Sequence, residues 1–600
     1  MKKLFILLLV LLSLSSVFAG SNGVKAVEVD SDIWNAVKSL YITQGHALPS
    51  TTGPWSENEI KLMLSFLDED KLSPSEKETY DWVISEMEHE ENVFKFGLEA
   101  NLETYIHSNS EDFVTRAMWA EDTKPMLLIK SDSFIGDNLY GFFTFNVSNA
   151  KIMADKNNND VFVTTLFSTS LIIVPPASMK TLDFGFPYNA YVAAGGDNWQ
   201  LMWGRYNLGW GPGTTGNFII GDHLGYHNNI RFTAFNKSFK YTFLVDSFTH
   251  PMNYYYYSEA PTPSERIGYN GDKTGLSTQE ILEGLKLMFA HRLEWRVFDD
   301  KVNIVLTEGL MYMDENNMLD LNVFNPSMLW HNIYTRAQSN SILSLEVDWT
   351  ILSGLNVYGS IVVDENILPG ENVPGKEGEK PAEPSAMGYM LGATYTLAMK
   401  KGILEFNAEG VYTDPFLYLR DGGKASSAEF RDQKKGQYGI NFVVALRDIY
   451  NTGGNVRYTE EYLGYQYGGD AIVGNFSVDY RDYGKWNIGG NVFFMAHGTF
   501  DQWTVWTRIN PDEDHLNYPK DNPTTPTTSH VTENQKDDDA GNRDSVEYTL
   551  DVTLKGGYKI LDNLEAYGSV DFIYVKNPGN LSYISPRSDL QLTLGISYAL

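Results

Sequence analysis

The sequence predicts an all-β fold: an outer-membrane antiparallel β-barrel of roughly 16–20 strands, preceded by a small N-terminal α-helical bundle. Three observations carry this. Several segments alternate apolar and polar residues strictly over about ten positions, the length of a tilted membrane-crossing strand. The chain begins with the pattern of an export leader. Past that leader no apolar run is long enough for a spanning helix, yet the 600 residues include 36 Tyr, 32 Phe and 51 Gly.

The leader comes first. Met1-Lys2-Lys3 is basic, Leu4 to Leu12 is unbroken apolar sequence, and Val17-Phe18-Ala19 ends in a small-x-small site. Residues 1–19 therefore read as a signal peptide cleaved after Ala19. A retained anchor is the alternative, but the run falls short of the roughly 20 residues a spanning helix needs. The chain has no Cys, so it has neither a lipoprotein acylation site nor disulfides. Acidic residues number 77 against 46 basic, a net charge of −31, which argues against a nucleic-acid partner.

Residues 29–92 change period. Ile33, Val37, Leu40 and Tyr41 lie near one helical stripe. Ser56 with Glu59 forms a capping-box pattern before an apolar run, and Ser73-Pro74 with Glu76 repeats it. Three short amphipathic helices are expected, as a periplasmic bundle or plug at the mouth of the barrel. About 60 residues bury little core alone, which favours docking over an autonomous adaptor.

Residues 93–600 carry the barrel. Phe94, Phe96, Leu98, Ala100 and Leu102 alternate with Lys95, Glu99, Asn101 and Glu103. Leu343, Leu345, Val347, Trp349 and Ile351 alternate with Ser344, Glu346, Asp348 and Thr350. Tyr548 to Ile560 and Leu590 to Leu600 repeat the pattern. The last strand ends Tyr598-Ala599-Leu600, where barrels of this class resemble it except for a more usual terminal aromatic. Pro-, Gly- and Asp-rich stretches at about 364–386 and 510–545 read as long outer loops without apolar anchors. Asp155, Asn157 and Asn159 start like a calcium loop, but Asp160 and Leu166 stand where Gly and Glu are needed, so this reads as a hairpin turn.

One glycine-rich stretch raises the question of chemistry. "GRYNLGWGPGTTGNF", Gly204 to Phe218, lacks the Lys and the following helix of a phosphate loop. It reads instead as a bend within the sheet, with Gly211-Pro212-Gly213 turning the chain and Arg205 reaching an acidic lumen partner. Arg205, Arg231, Arg292 and Arg296 are expected to face Glu294, Glu308, Glu346 or Asp348 as a charge ladder bracing the interior. No Gly-x-Ser-x-Gly or His-Glu-x-x-His pattern occurs, and His250, His291 and His331 are scattered, so no enzyme, cofactor or metal site is expected.

"WGRYNLGWGPGTTGNFIIGD" followed by "NIRFTAF" resembles the signature of the Wzi family of outer-membrane capsule-assembly proteins. The order of Arg292, Glu308, Asn325-Pro326, His331, Asn340, Asp348, Tyr358 and Asp364 is similar too, and the resemblance is strongest over about 204–365. It implies a plugged, lectin-like barrel at the cell surface, concerned with attachment or assembly of surface polysaccharide. Gly204, Arg205, Trp210, Gly211, Pro212, Gly213 and Arg231 are its motif residues. Rings able to stack on sugars occur at Tyr254, Tyr255, Tyr256 and Tyr257, and at Trp210, Trp503 and Trp506. Scattered rings otherwise belong to an interfacial girdle. So acidic a chain repels an acidic polymer unless a divalent ion bridges them. The expected partners are membrane lipid and surface polysaccharide, with the chain a monomer. A porin with an acidic lumen and a surface adhesin working through its loops are the alternatives.

Overall fold

A computed structural model describes residues 22–88, 94–108, 124–149, 152–154, 160–162, 167–169, 182–185, 189–248, 285–314, 318–325, 338–365, 385–419, 440–450, 455–502, 523–528 and 543–600. The leader, the Tyr254–Tyr257 run, Trp503, Trp506, His250, His331, most of the calcium-like stretch and most of both long loops lie outside them.

Eighteen strands close into an antiparallel barrel. They are β1 (Phe94–His107), β2 (Leu127–Ile135), β3 (Leu139–Asn149), β4 (Ala190–Gly196), β5 (Trp199–Tyr206) and β6 (His227–Phe235). Next come β7 (Phe239–Phe248), β8 (Leu285–Val297), β9 (Val302–Asp314), β10 (Gln338–Leu352), β11 (Leu355–Glu365) and β12 (Ala386–Ala398). The last are β13 (Ile403–Thr413), β14 (Ala471–Asp482), β15 (Trp486–His497), β16 (Glu547–Leu561), β17 (Leu564–Lys576) and β18 (Arg587–Ala599). Each pairs with its chain neighbours, and β18 closes on β1 with Tyr598 opposite Ala100. Leu600 completes the seam by exchanging backbone hydrogen bonds with Leu98.

The alternation sets the two faces. On β10 the apolar parity points outward, with Leu345 46% exposed, while Glu346 on the other parity is 4% exposed. The same holds on β1, β16 and β18, where Phe96, Leu554 and Leu594 point outward. A closed sheet leaves no unpaired edge, so the backbone is satisfied and an apolar band faces the surroundings.

Turns of two to four residues join one end of the strands, such as Ser353-Gly354 between β10 and β11. Long connections leave the other end. In outer-membrane barrels the short turns face the periplasm.

Three helices precede the barrel: α1 (Asp32–Thr43), α2 (Glu57–Leu64) and α3 (Pro74–Glu86). Ser31 caps α1 by accepting from the Trp34 N–H. Ser73 and Glu76 complete a reciprocal capping box on α3. On α2 only half of the box forms: Ser56 accepts from the Glu59 N–H at 3.1 Å, but the Glu59 carboxylate leaves for the barrel wall. Val37, Leu40 and Tyr41 are buried in the cluster that holds the helices together, with Trp34 stacked on Trp55 at 3.5 Å. The helices sit at the short-turn end. Gly354 N–H donates to Ile42 O at 2.8 Å, Ala47 N–H to Asp300 O at 2.8 Å, and Trp82 stacks on Tyr483 at 5.3 Å.

Candidate functional site

The N-terminal segment does not stop at the rim. Between α1 and α2 the chain runs into the lumen as Ala47 to Ser56, and the wall grips it through inward side chains. Arg292 on β8 is fully buried and donates from both terminal nitrogens to the Glu346 carboxylate on β10, at 2.8 and 2.7 Å. Its Nε donates to the Thr52 hydroxyl at 2.6 Å. Glu294, two residues on and also inward, accepts from the Ser50 hydroxyl at 3.1 Å, the Thr51 N–H at 3.2 Å and the Thr52 hydroxyl. Lys240 on β7 donates to Ser50 Oγ at 3.0 Å, Thr52 O at 2.9 Å and Glu59 at 2.5 Å. Burial pushes the Glu59 carboxyl up, opposed by the Lys240 charge. Each of these charges is paired and hydrogen-bonded, which offsets the cost of burying it.

The glycine-rich stretch meets this segment from the other side. It is not a bend within the sheet. β5 ends at Tyr206 and β6 starts at His227, and residues 207–226 between them fold into the lumen. There Gly209 and Trp210 pair in antiparallel register with Gly53 and Thr52 of the N-terminal segment. Gly211 N–H donates to Thr51 O at 2.7 Å, and Trp210 N–H to Ile220 O at 3.0 Å. Trp210 is wholly buried, its ring 6.0 Å from the Arg292 guanidinium. Pro212 is buried, and Gly213 N–H donates to Asn217 Oδ1 at 3.0 Å. Beyond them the Thr214 and Thr215 N–H groups donate to the two Glu409 oxygens at 2.8 and 2.9 Å, and Tyr358 OH donates to Glu409 at 2.7 Å. Gly204 lies in β5 with φ +151°, where an added Cβ would come within 2.5 Å of the Tyr191 Cα on β4.

The expected charge ladder forms only in part. Arg292 takes Glu346, with Glu294 at 3.8 Å. Among the described residues Arg205 meets no carboxylate: it donates to Asn228 Oδ1 at 3.0 Å and lies 4.0 Å from the Tyr226 ring centre. Arg231 turns to Gln200 Oε1 at 3.0 Å and the Met202 sulfur at 3.1 Å. Arg296 holds the carbonyls of Pro49 and Ala47 at 3.3 and 3.4 Å. Asp348 accepts from the Leu48 N–H at 2.8 Å, and Asn340 donates to Asp364 at 2.9 Å. Glu308 faces the opposite side of the wall, on the outward parity, beside His291 at 2.8 Å.

Sequence reasoning missed the inward packing of the β13–β14 connection. Phe416 to Leu419, Phe442 to Val444 and Leu463 to Tyr465 join Phe218 and Trp210 in one buried cluster. The apolar run Pro415 to Leu419, "PFLYL", was the available signal. The 510–545 loop is also anchored where it is described: the Thr527 N–H donates to Asp470 at 2.8 Å and the Thr525 hydroxyl to Thr413 O at 2.6 Å. Its backbone-directed Thr side chains replace the apolar anchors that the sequence lacks.

This architecture has a counterpart among solved structures. The chain is similar in fold to Wzi. That Escherichia coli outer-membrane protein, involved in group 1 capsule assembly and described as a carbohydrate-binding β-barrel, is 12% identical with a TM-score of 0.53. The likeness covers 95% of this chain and 98% of Wzi. Pseudomonas aeruginosa OprD is 9% identical with a TM-score of 0.37, over 84% of this chain and 95% of OprD. A BenF-like porin from Pseudomonas fluorescens is 8% identical with a TM-score of 0.36, over 84% and 98%. No family model and no curated protein matches the sequence.

One carboxyl at this junction makes the fit pH-dependent. Asp222, at the end of the inward loop, is pushed up to about 7, first by burial and then by the neighbouring Asp30 carboxylate. A raised carboxyl binds its proton more tightly folded than unfolded, so stability falls as pH climbs from about 4 to about 7 and the cost is complete above that. Asp222→Asn is expected to melt higher than the parent at pH 8 and to converge with it near pH 4. Equal melting curves at pH 8 would remove Asp222 as the titrating group.

Proposed function

We propose that this chain is a closed, non-enzymatic outer-membrane barrel that holds surface polysaccharide at its long-loop face. One observation carries the reading: the lumen beside Arg292 is occupied by the chain's own residues 47–56 and 207–226, hydrogen-bonded to the wall. A barrel that passes solutes by free diffusion needs an open bore, and chain held across it by buried, paired charges works against that. On this reading function falls to the long connections, and the whole-length likeness to Wzi, described as a carbohydrate-binding barrel, supports sugar as the ligand. Tyr254–Tyr257 supply the rings for stacking on pyranose faces, and the net charge of −31 favours a neutral polymer or one bridged by divalent cations.

Purified protein in planar bilayers is expected to show no channel steps. Polysaccharide retention by proteoliposomes is expected to fall about tenfold, ~1.4 kcal/mol, when all four tyrosines become Ala. Stepwise currents from the intact chain would point to a channel instead. Retention lost on deleting residues 510–545, but kept without the tyrosines, would point to an adhesin.

A further inference from the structure

One sector of the outer wall is covered. Outward apolar side chains elsewhere on the barrel stand clear of protein, as Leu391 does at 66% exposed. On β8 and β9 the same parity carries Phe289 and Leu310, register partners that are 0% and 1% exposed. Part of their cover is residues 318–325, which lie back along the wall: Met318 N–H donates to Asp314 Oδ1 at 3.0 Å, and the Tyr312 hydroxyl donates to Met318 O at 2.8 Å while accepting from Asp320 N–H at 3.0 Å. Asp320 then caps a single 3-10 turn, Leu321–Phe324, by accepting from Asn322 N–H at 3.0 Å. Val323 is buried against Leu287, Phe289, Leu310 and Tyr312, and the Phe324 ring lies 5.4 Å from Phe289.

This turn is apolar on both sides. Its inner side packs on the barrel, while Met318 and Leu321 point away from it at 68% and 74% exposed, with Leu319 and Phe324 also exposed. It reaches the level of Leu310, four residues below Asp314, which is about 13 Å along the strand and about 10 Å in depth at a tilt near 40°. The N–H groups of Met318, Asp320, Asn322, Val323 and Asn325 are all satisfied within the segment or by Asp314 and Tyr312. Irregular backbone is tolerated at such a level only where it packs on protein, as Val323 and Phe324 do against the β8–β9 wall. In water, four large exposed apolar side chains on so short a segment are a liability. Against hydrocarbon they continue the outward band of the strands beside them. Asn322 and Asn325, also exposed, keep the turn near the headgroup boundary.

We propose that residues 318–325 are a lipid-embedded element, lying on the outside of the β8–β9 wall with Leu321, Met318 and Phe324 in the upper acyl layer of the outer leaflet. The partner is lipid hydrocarbon. The inference rests on the membrane placement given above, and the experiment separates the two. The chain has no Cys, so Leu321→Cys and the mid-strand control Leu391→Cys each give one bimane-labelled site in proteoliposomes. Both labels are expected to lose fluorescence to phosphatidylcholine brominated on its acyl chains and to be protected from aqueous iodide. A Leu321 label quenched by iodide and not by brominated lipid, with the Leu391 label still in lipid, would overturn the inference alone. Protection of the Leu321 label from both quenchers would overturn it in favour of a second copy of the chain. A Leu391 label in water would overturn the membrane placement and this element with it.

Discussion

Arg292→Met is expected to free the N-terminal segment from the lumen and to turn a silent barrel into a leaky one. Met keeps most of the volume, so the change is electrostatic. Glu346 loses its bidentate donor and Glu294 loses its nearest cation, both buried. Thr52 loses the Nε–H that its hydroxyl accepts. Removing one partner of a buried pair costs on the order of 3–5 kcal/mol. That is more than a hundredfold in the equilibrium between seated and unseated segment. Limited proteolysis between α1 and α2 reports the release, and planar-bilayer recording reports the opened bore. The double variant Arg292→Met/Glu346→Leu removes the stranded carboxylate and is expected to recover much of the protection. A single variant as resistant and as silent as the parent would mean that Arg292 does not secure the segment.

The wall was legible in the sequence because its physics is local. Period-two alternation on β1, β10, β16 and β18 needs only neighbours along the chain, and each outward residue lies on the face the pattern assigns. The helices were legible for the same reason, through the Ser56 and Ser73 caps. The seal was not. Ser50-Thr51-Thr52 is an ordinary polar linker until Lys240, Arg292 and Glu294 converge on it from nearly 200 residues or more away. The glycine-rich stretch is conspicuous as a motif, but read locally it admits only a phosphate loop or a sheet bend. Nothing local says that Gly209-Trp210 will pair with Thr52-Gly53. Glu308 stands off the expected ladder because the β8–β9 register pairs Arg292 with Thr307. Once β8 and β9 are aligned, Glu308 sits opposite His291, one residue off the inward set.

Trp210→Ala is expected to destabilise the seated segment by about 3–5 kcal/mol, the range for removing a large buried aromatic. The barrel itself should persist, since its strands are held by backbone ladders that Trp210 does not join. The loss should therefore appear as protease sensitivity of residues 47–56 while the barrel keeps its resistance to detergent unfolding. Gly211→Ala acts at the same junction by another route. Its φ of +145° disfavours any side chain, and a Cβ there would stand 2.1 Å from Asn217 Oδ1, displacing the acceptor of the Gly213 N–H. The Trp210-Gly211 backbone and the Arg292 side chain grip the same two residues, Thr51 and Thr52, from opposite sides, and the buried Trp210 ring lies 6.0 Å from the Arg292 guanidinium. If they form one latch, the segment is already unseated in Arg292→Met, and adding Trp210→Ala should cost less than about 1 kcal/mol more. If they are independent contacts, the two losses should add to within about 0.5 kcal/mol. The cycle thus decides whether the glycine-rich loop is a working part of the seal or filling packed beside it.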